Sequence, residues 1–367
     1  MSIPKGKGYY IWKIPNCEGG DPEKIALTAH QIGLTHVIVK IANGIYDYNY
    51  DVTLKKDLVA PLSYALAKYN IKTWGWHYVY GDIPKKEAAA AIRQIRKIPL
   101  EGYIIDAEAE YKGKYTACRV FMNELRSALP SFPMGLSSFR YPKYHNDLPW
   151  SDFLSKCEVN MPQVYWEQQR NPGEQLEKSL MQFKTFVTPF KPLVPTGSAY
   201  GANAWFPKPA EISEFMAKSV SLGLSGVNFW SWDYCRKSLP ALWDTIAAFQ
   251  WPGAVNPEKD ITLKLFEAIN SKDLPSIINF YQPDAIHIDA KETIQGHASL
   301  STWYTDIFNL DLKDKTIQIL ELSEKENMRH FSWMAKANNG DSINGIDTLG
   351  LIDNKIIYHY SSFSRKK

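Results

Sequence analysis

The feature that most constrains this chain is an alternation. Eight short apolar runs, rich in β-branched and aromatic residues, punctuate the first 250 residues: 8–14 (GYYIWKI), 36–44, 72–81, 102–111 (GYIIDAEAEY), 133–139, 159–167, 192–201 and 226–234 (GVNFWSWDY). Most end in Gly or a polar residue, as strands do. Between them lie segments of helical period at 53–70, 84–97, 115–129, 172–188, 209–222 and 238–250. In the first, Leu54, Leu58, Leu62, Ala65 and Leu66 recur at three and four. A doubly wound sheet also alternates, but eight units in about 250 residues, with polar residues at the strand ends, favour an α/β fold of the (β/α)8 TIM-type barrel.

The pattern breaks at 251–260 (WPGAVNPEKD), where two prolines, a glycine and charges read as a linker. Beyond it the order changes to helices at 261–271, 274–281 and 297–309, then strands at 315–324, 328–338, 344–351 and 356–364. Helices first and a curled antiparallel sheet after is α+β. The expected domains are 1–253, the barrel, and 258–367.

The hydrophobic fraction of 45% supplies large cores, and 22% charged residues exclude disorder over most of the chain. A net charge of +3 does not argue for a nucleic-acid partner. No apolar run approaches the ~20 residues that cross a bilayer, and no secretory signal pattern opens the chain, so the default expectation is cytoplasmic, with release by lysis or non-classical export as the other route. The four cysteines, Cys17, Cys118, Cys157 and Cys235, form no CxxC and have no His at ligand spacing. Free thiols and no metal are expected, although Cys17 and Cys235 sit on loops that a closed barrel makes neighbours. No GxGxxG, P-loop or GxSxG occurs, so no cofactor and no serine nucleophile are indicated.

The sharpest chemistry is in GYIIDAEAEY. Strand alternation puts Asp106 and Glu108 on one face. Two adjacent carboxyls raise the pKa of one of them, which suits a general acid beside a charged neighbour, the pair that glycoside hydrolysis uses. Glu110 continues the alternation but falls beyond the strand. The other strand ends offer Trp12, Lys40, His77, Tyr80, Gln163, Tyr165, Trp230 and Trp232, rings and hydrogen-bonding groups suited to the faces of a sugar. Parity alone does not say which face of each strand is inward.

Over residues 8–250 the chain resembles the glycoside hydrolase family 25 lysozyme barrel. The carrying segments are VIVKIANG, GWHYVYG, YIIDAEAE and NFWSWD. The resemblance implies Glu108 as general acid assisted by Asp106. Gln163 and Tyr165 resemble the sixth strand of chitinase-type barrels, which use the substrate's own acetamido group as nucleophile. The lysozyme family carries an Asp near the end of its first strand; here Trp12 and Lys13 stand there. The second half resembles a SnoaL-like domain of the nuclear-transport-factor type, carried by KLFEAINSKDLPSIINFYQPDAIHID, IQGHASLSTWY and GIDTLGLIDNKIIYHYSSF. That implies pocket candidates Tyr281, His287, Asp289, Trp303 and His330, and a homodimer through residues 258–367. The combined expectation is a lysozyme-like hydrolase of a β-linked N-acetylhexosamine polysaccharide. The rival expectations are a non-catalytic carbohydrate-binding barrel and a small-ligand function of the C-terminal pocket.

Overall fold

The computed structural model describes residues 3–252, 260–337 and 340–366. The chain divides into two compact units, Met1–Pro257 and Glu258–Lys367. Residues 253–259, most of the segment read as a linker, lie outside the described residues.

The first unit is a closed barrel of eight parallel strands: β1 (Gly6–Ile11), β2 (His36–Asn43), β3 (Lys72–Val79), β4 (Gly102–Ala107), β5 (Met134–Phe139), β6 (Val159–Val164), β7 (Thr196–Ser198) and β8 (Gly226–Trp230). Consecutive strands pair in order, and β1 closes the ring by pairing with both β8 and β2. Around it run α1 (Pro22–Gln31), α2 (Val59–Lys68), α3 (Pro84–Lys97), α4 (Tyr115–Ala128), α5 (Trp150–Leu154), α6 (Pro172–Phe186), α7 (Pro209–Ser221), α8 (Trp232–Ser238) and α9 (Pro240–Ala248).

Several boundaries differ from the sequence reading. The first run is strand only to Ile11, and β7 is three residues long. Residues 53–58 are not helical: they hold a turn and the second strand of a small hairpin, leaving Leu54 71% exposed. Three helices were not foreseen, α1, α5 and α8; α1 is capped by the Asp21 carboxylate accepting from the backbone of Glu23 and Lys24, with Pro22 at its first turn.

The barrel settles strand parity. Its interior is packed by Tyr10, Ile38, Trp74, Trp76, Ile104, Val159, Met161 and Val194, with Tyr78 and Trp230 against them. The opposite faces, with Tyr9, Ile11, Val37, Val39, Tyr103 and Ile105, meet the helices. Both faces being buried, the strands read as continuous apolar runs. Trp76 also donates from its indole N–H to Ile11 O at 3.0 Å, so the ring fixes the end of β1 as well as filling the interior. Removing such a buried ring costs about 3–5 kcal/mol.

The second unit carries α10 (Ile261–Ser271), α11 (Leu274–Asn279) and α12 (Gly296–Asn309) against a six-stranded sheet. Its strands are β9 (Tyr281–Ile288), β10 (Thr293–Gln295), β11 (Lys315–Lys325), β12 (Met328–Ala337), β13 (Ser342–Ile352) and β14 (Lys355–Lys366). The order is β10-β9-β14-β13-β12-β11, with β9 parallel to β14 and the rest antiparallel. Strand β9 was not foreseen: the helix read over 274–281 ends at Asn279.

Candidate active site

Inward parity carries each interior row to the C-terminal mouth of the barrel. Beyond Ile104 on β4 come Asp106 and then Glu108; beyond Met161 on β6 come Gln163 and Tyr165; beyond Ile38 on β2 comes Lys40. Gln163 joins the two carboxyls: its amide nitrogen donates to Asp106 Oδ1 at 3.0 Å and to Glu108 Oε1 at 2.9 Å. Asp106 is buried and Glu108 half-buried.

Burial pushes the Asp106 carboxyl well above its usual range and the charge of Glu108 pushes it further, against the pull of Lys40, Ser137 and Gln163. Glu108 is raised too, first by burial, with the Gln163 hydrogen bond opposing and Glu110 adding to the rise. A pair of this kind retains a proton at pH values where isolated carboxyls have lost theirs.

Lys40 sits among rings. Its ammonium lies 4.5 Å from the Tyr48 ring centre, 4.6 Å from Trp76, 5.7 Å from Trp12 and 5.9 Å from Tyr78. It donates to Asn43 Oδ1 at 2.9 Å, and Asn43 donates in turn to the Tyr80 hydroxyl at 3.0 Å. Burial brings the ammonium down to about 8, with Asp106 opposing that fall. Asn49 holds the mouth together from below, donating to Trp12 O at 3.1 Å and Lys40 O at 2.9 Å while accepting from Ile14 N at 2.8 Å.

Trp12 is 41% exposed, and its ring centre lies 6.1 Å from that of Trp230, which is edge-on to Trp76 at 5.3 Å. Tyr165 is edge-on to Tyr200 at 5.3 Å, and its hydroxyl is raised by burial and by the charges of Asp106 and Glu108 among others. Glu110 is exposed and accepts from the Tyr78 hydroxyl at 2.7 Å.

Two expected binding residues are elsewhere. His77 has outward parity and is fully buried between β3 and α4; its ring nitrogens bond Tyr103 OH and Gly44 O, both at 2.8 Å, and burial lowers its pKa to about 4. It is a neutral packing histidine. Trp232 does not continue β8, because the strand ends at Trp230 and α8 begins at Trp232, whose ring is fully buried against Tyr9 and Trp243. Conversely, Tyr10, Tyr48, Asn43 and Ser137 belong to the site and were not foreseen. Tyr10 shares parity with Trp12, and its hydroxyl is raised by burial and by Asp106. The same parity argument would have found it once the inward face was known.

In the second unit, Tyr281, His287, Asp289 and Trp303 do gather. The Trp303 indole donates to Asp289 Oδ2 at 3.2 Å, and the Trp303 and His287 rings are 4.1 Å apart. His330 does not join them: it lies exposed on the sheet, bonded to Thr348 Oγ1 at 2.9 Å.

All four cysteines are buried free thiols. Among the described residues no group of His, Cys, Asp and Glu is arranged to hold a metal ion, and no helix is long and apolar enough to cross a membrane.

No family model and no curated protein matches the chain. Solved structures do. An NTF-2-like protein of unknown function from Burkholderia xenovorans LB400 is 15% identical, over 30% of this chain and 84% of that one, with a TM-score of 0.27. A protein of the SnoaL-like family from Agrobacterium tumefaciens str. C58 is 14% identical, over 28% of this chain and 94% of that one, at 0.26. An NTF2-like protein of unknown function from Burkholderia pseudomallei K96243 is 15% identical, over 28% and 88%, at 0.26. By its own strand pairing the molecule is a mixed α/β protein, a closed eight-stranded parallel barrel with a separate C-terminal sheet unit. Likeness at this level carries no statement about activity.

Proposed function

We propose that the barrel unit is a glycoside hydrolase acting on a β-linked polymer that contains N-acetylhexosamine. The observation that carries this reading is the Gln163 amide held between Asp106 and Glu108 at an aromatic-lined mouth. Glu108, the less buried carboxyl, gives its proton to the glycosidic oxygen as the bond from that oxygen to the anomeric carbon breaks. The acetamido oxygen of the same sugar forms the new bond to that carbon. Asp106 accepts a hydrogen bond from the acetamido N–H, stabilising the positive charge that develops there. Water then attacks the anomeric carbon, whose bond to the acetamido oxygen breaks to regenerate the neutral amide, and the attacking water gives its proton to the Glu108 carboxylate, restoring the acid. Tyr165 and Gln163 hold the acetamido group, Trp12 and Trp230 take the flat faces of the sugar rings, and Lys40 and Tyr80 line the cleft. The test is release of reducing ends from N-acetylhexosamine oligomers, with Glu108→Gln as control. Turnover that the substitution leaves intact overturns the assignment.

One feature favours a second reading, a glycan-binding barrel that does not cut: the first strand leads to Trp12 and Lys13 at the mouth, with no carboxylate there, and the Lys13 ammonium lies 5.4 Å from the Trp12 ring centre. Saturable binding of the same oligomers without any cleavage decides for it.

A further inference from the structure

The barrel unit carries a second cleft that shares no lining residue with the mouth. It is bounded by the first residue of α4, the segment that follows β5, and the last residue of α6. Tyr115, Lys143, Asn146, Trp150, Asp152 and Phe186 are among its walls. Its volume is about 510 Å³, inside the roughly 300–1,000 Å³ of small-molecule sites.

The walls are pinned. Gly113 N donates to Asp147 O at 2.7 Å, and Lys112 pairs with Asp147 at 3.5 Å, which ties the approach to α4 to the segment after β5. Lys143 N donates to Gln182 Oε1 at 3.2 Å, which ties that segment to α6. Within it, the Trp150 indole donates to His145 O at 2.8 Å. Walls fixed in this way are already shaped for a ligand, which spares the ordering cost of binding.

The cleft combines rings, acceptors and an unmatched cation. Tyr115 and Phe186 are 42% and 54% exposed, so flat apolar faces stand in water. The Lys143 ammonium lies 5.4 Å from the Phe186 ring centre. The Asp152 carboxylate already has a cation, Arg119 at 3.3 Å. Lys143 has no carboxylate partner among the described residues. The cations beyond it also rest on rings: the Lys178 ammonium lies 4.6 Å from the Tyr141 centre and 5.1 Å from Tyr144, and the Arg140 guanidinium 5.0 Å from Tyr141. Neither of them has a carboxylate partner among the described residues. The surface around Lys143 is therefore positive, with rings rather than acids beneath its charges.

A sugar ring that carries a carboxylate completes each of these groups. Its apolar face suits an aromatic ring, its hydroxyls donate to a carboxylate and exchange hydrogen bonds with an amide, and its own carboxylate answers an ammonium. A nucleic-acid strand fits less well, because Asp152 would stand among closely spaced phosphates with no hydroxyl-rich face to donate to it.

We propose that this cleft is an accessory binding site, separate from the barrel mouth, for a short acidic oligosaccharide of the uronic-acid class. A sugar face lies on Phe186, its carboxylate accepts from Lys143, and its hydroxyls donate to Asp152. The next sugar along the strand is drawn towards Lys178. No bond is made or broken here, and the site stands whether or not the mouth cleaves a glycan.

Ligand-observed NMR titration of the full chain at physiological ionic strength tests the site, with trigalacturonic acid as probe and maltotriose as the neutral control. Trigalacturonate should bind more tightly than maltotriose. Lys143→Gln should reduce that preference about two- to fivefold, the range of one exposed ion pair. Phe186→Ala, at an exposed position, should weaken both sugars while leaving the far-ultraviolet circular dichroism unchanged. Trp230→Ala, at the barrel mouth, should change neither affinity. The proposal is overturned by absence of binding, by equal affinity for the two sugars, by a preference that survives Lys143→Gln, or by binding lost in Trp230→Ala. Triuridylate bound as tightly as trigalacturonate would also overturn it, since the cleft would then read charge alone.

Discussion

Gln163 reaches Glu108 at 2.9 Å from the neighbouring side of the barrel mouth, and the same nitrogen serves Asp106. A single amide thus opposes the rise in pKa of both carboxyls. Replacing it with an isosteric apolar group, Gln163→Leu, removes the hydrogen bonds that favour the ionised forms. Both limbs of the kcat/KM profile against pH should move to higher pH, as hydrolysis assays across a buffer series would show. A profile that falls in height without moving would mean that the amide acts only on substrate.

The three acidic residues of the fourth strand and its loop separate by substitution. Glu108→Gln should lower turnover of an N-acetylhexosamine oligomer by about 10²–10⁴, the usual worth of a general acid, while leaving binding in place. Asp106→Asn should lose a comparable amount because it no longer stabilises the acetamido cation. Glu110→Gln should be close to wild type, since Glu110 is exposed and the new amide oxygen still accepts from Tyr78. Equal losses in all three would point to a general field effect.

The buried carboxyl has a cost that depends on pH. Asp106 holds its proton more tightly folded than unfolded, so stability attached to it is present below the unfolded pKa near 4 and is lost as pH rises from there towards the folded value. Asp106→Asn should therefore match the wild type near pH 3 and exceed it increasingly above pH 4. Each unit of upward shift relieved is worth about 1.4 kcal/mol. Urea unfolding at several pH values measures this, and a variant less stable than wild type at pH 7 would contradict it.

Burial raises the thiols of Cys17, Cys118, Cys157 and Cys235, those of Cys157 and Cys235 to about 12. Native protein should therefore react slowly with an aromatic disulfide reagent, and denatured protein should release four equivalents. Fewer than four after denaturation without reductant would reveal a disulfide.

The C-terminal sheet presents Met328, Ile346 and Tyr360 on one open face, 44%, 50% and 42% exposed. We propose that a homodimer forms through this face. Ile346→Lys should convert it to a monomer in light scattering while leaving the far-ultraviolet circular dichroism unchanged. An unchanged mass would place any interface elsewhere.

Strand order was readable because parallel strands buried on both faces become continuous apolar runs. Which residues face inward was not readable for the same reason: nothing in WGWHY distinguishes Trp76, which packs the interior, from His77, which meets α4. Trp232 misled because the residues after Trp230 keep a strand-like composition while the backbone turns into α8. Helix α1 carried its signal in Asp21 and Pro22, yet its apolar residues are interleaved with Thr28 and His30. The carboxylate pair was legible because its members are two residues apart in one run, Asp106 on β4 and Glu108 just past its end. The 3.0 Å contact between Asp347 on β13 and His359 on β14 was hidden, being fixed by the register between two strands rather than by local spacing.

Glu87, on α3, accepts hydrogen bonds from the backbone of Tyr80 and from Gly81, whose positive φ of 73° suits glycine. Lys114 grips the same turn, donating to Tyr80 O at 2.9 Å. The turn beyond β3 is thereby anchored to a helix on one side and a lysine on the other. The rim that bears Tyr80 is a fixed lip rather than a hinged flap, so under the proposed function a polymer would meet a preformed edge here and would not wait for a loop to open.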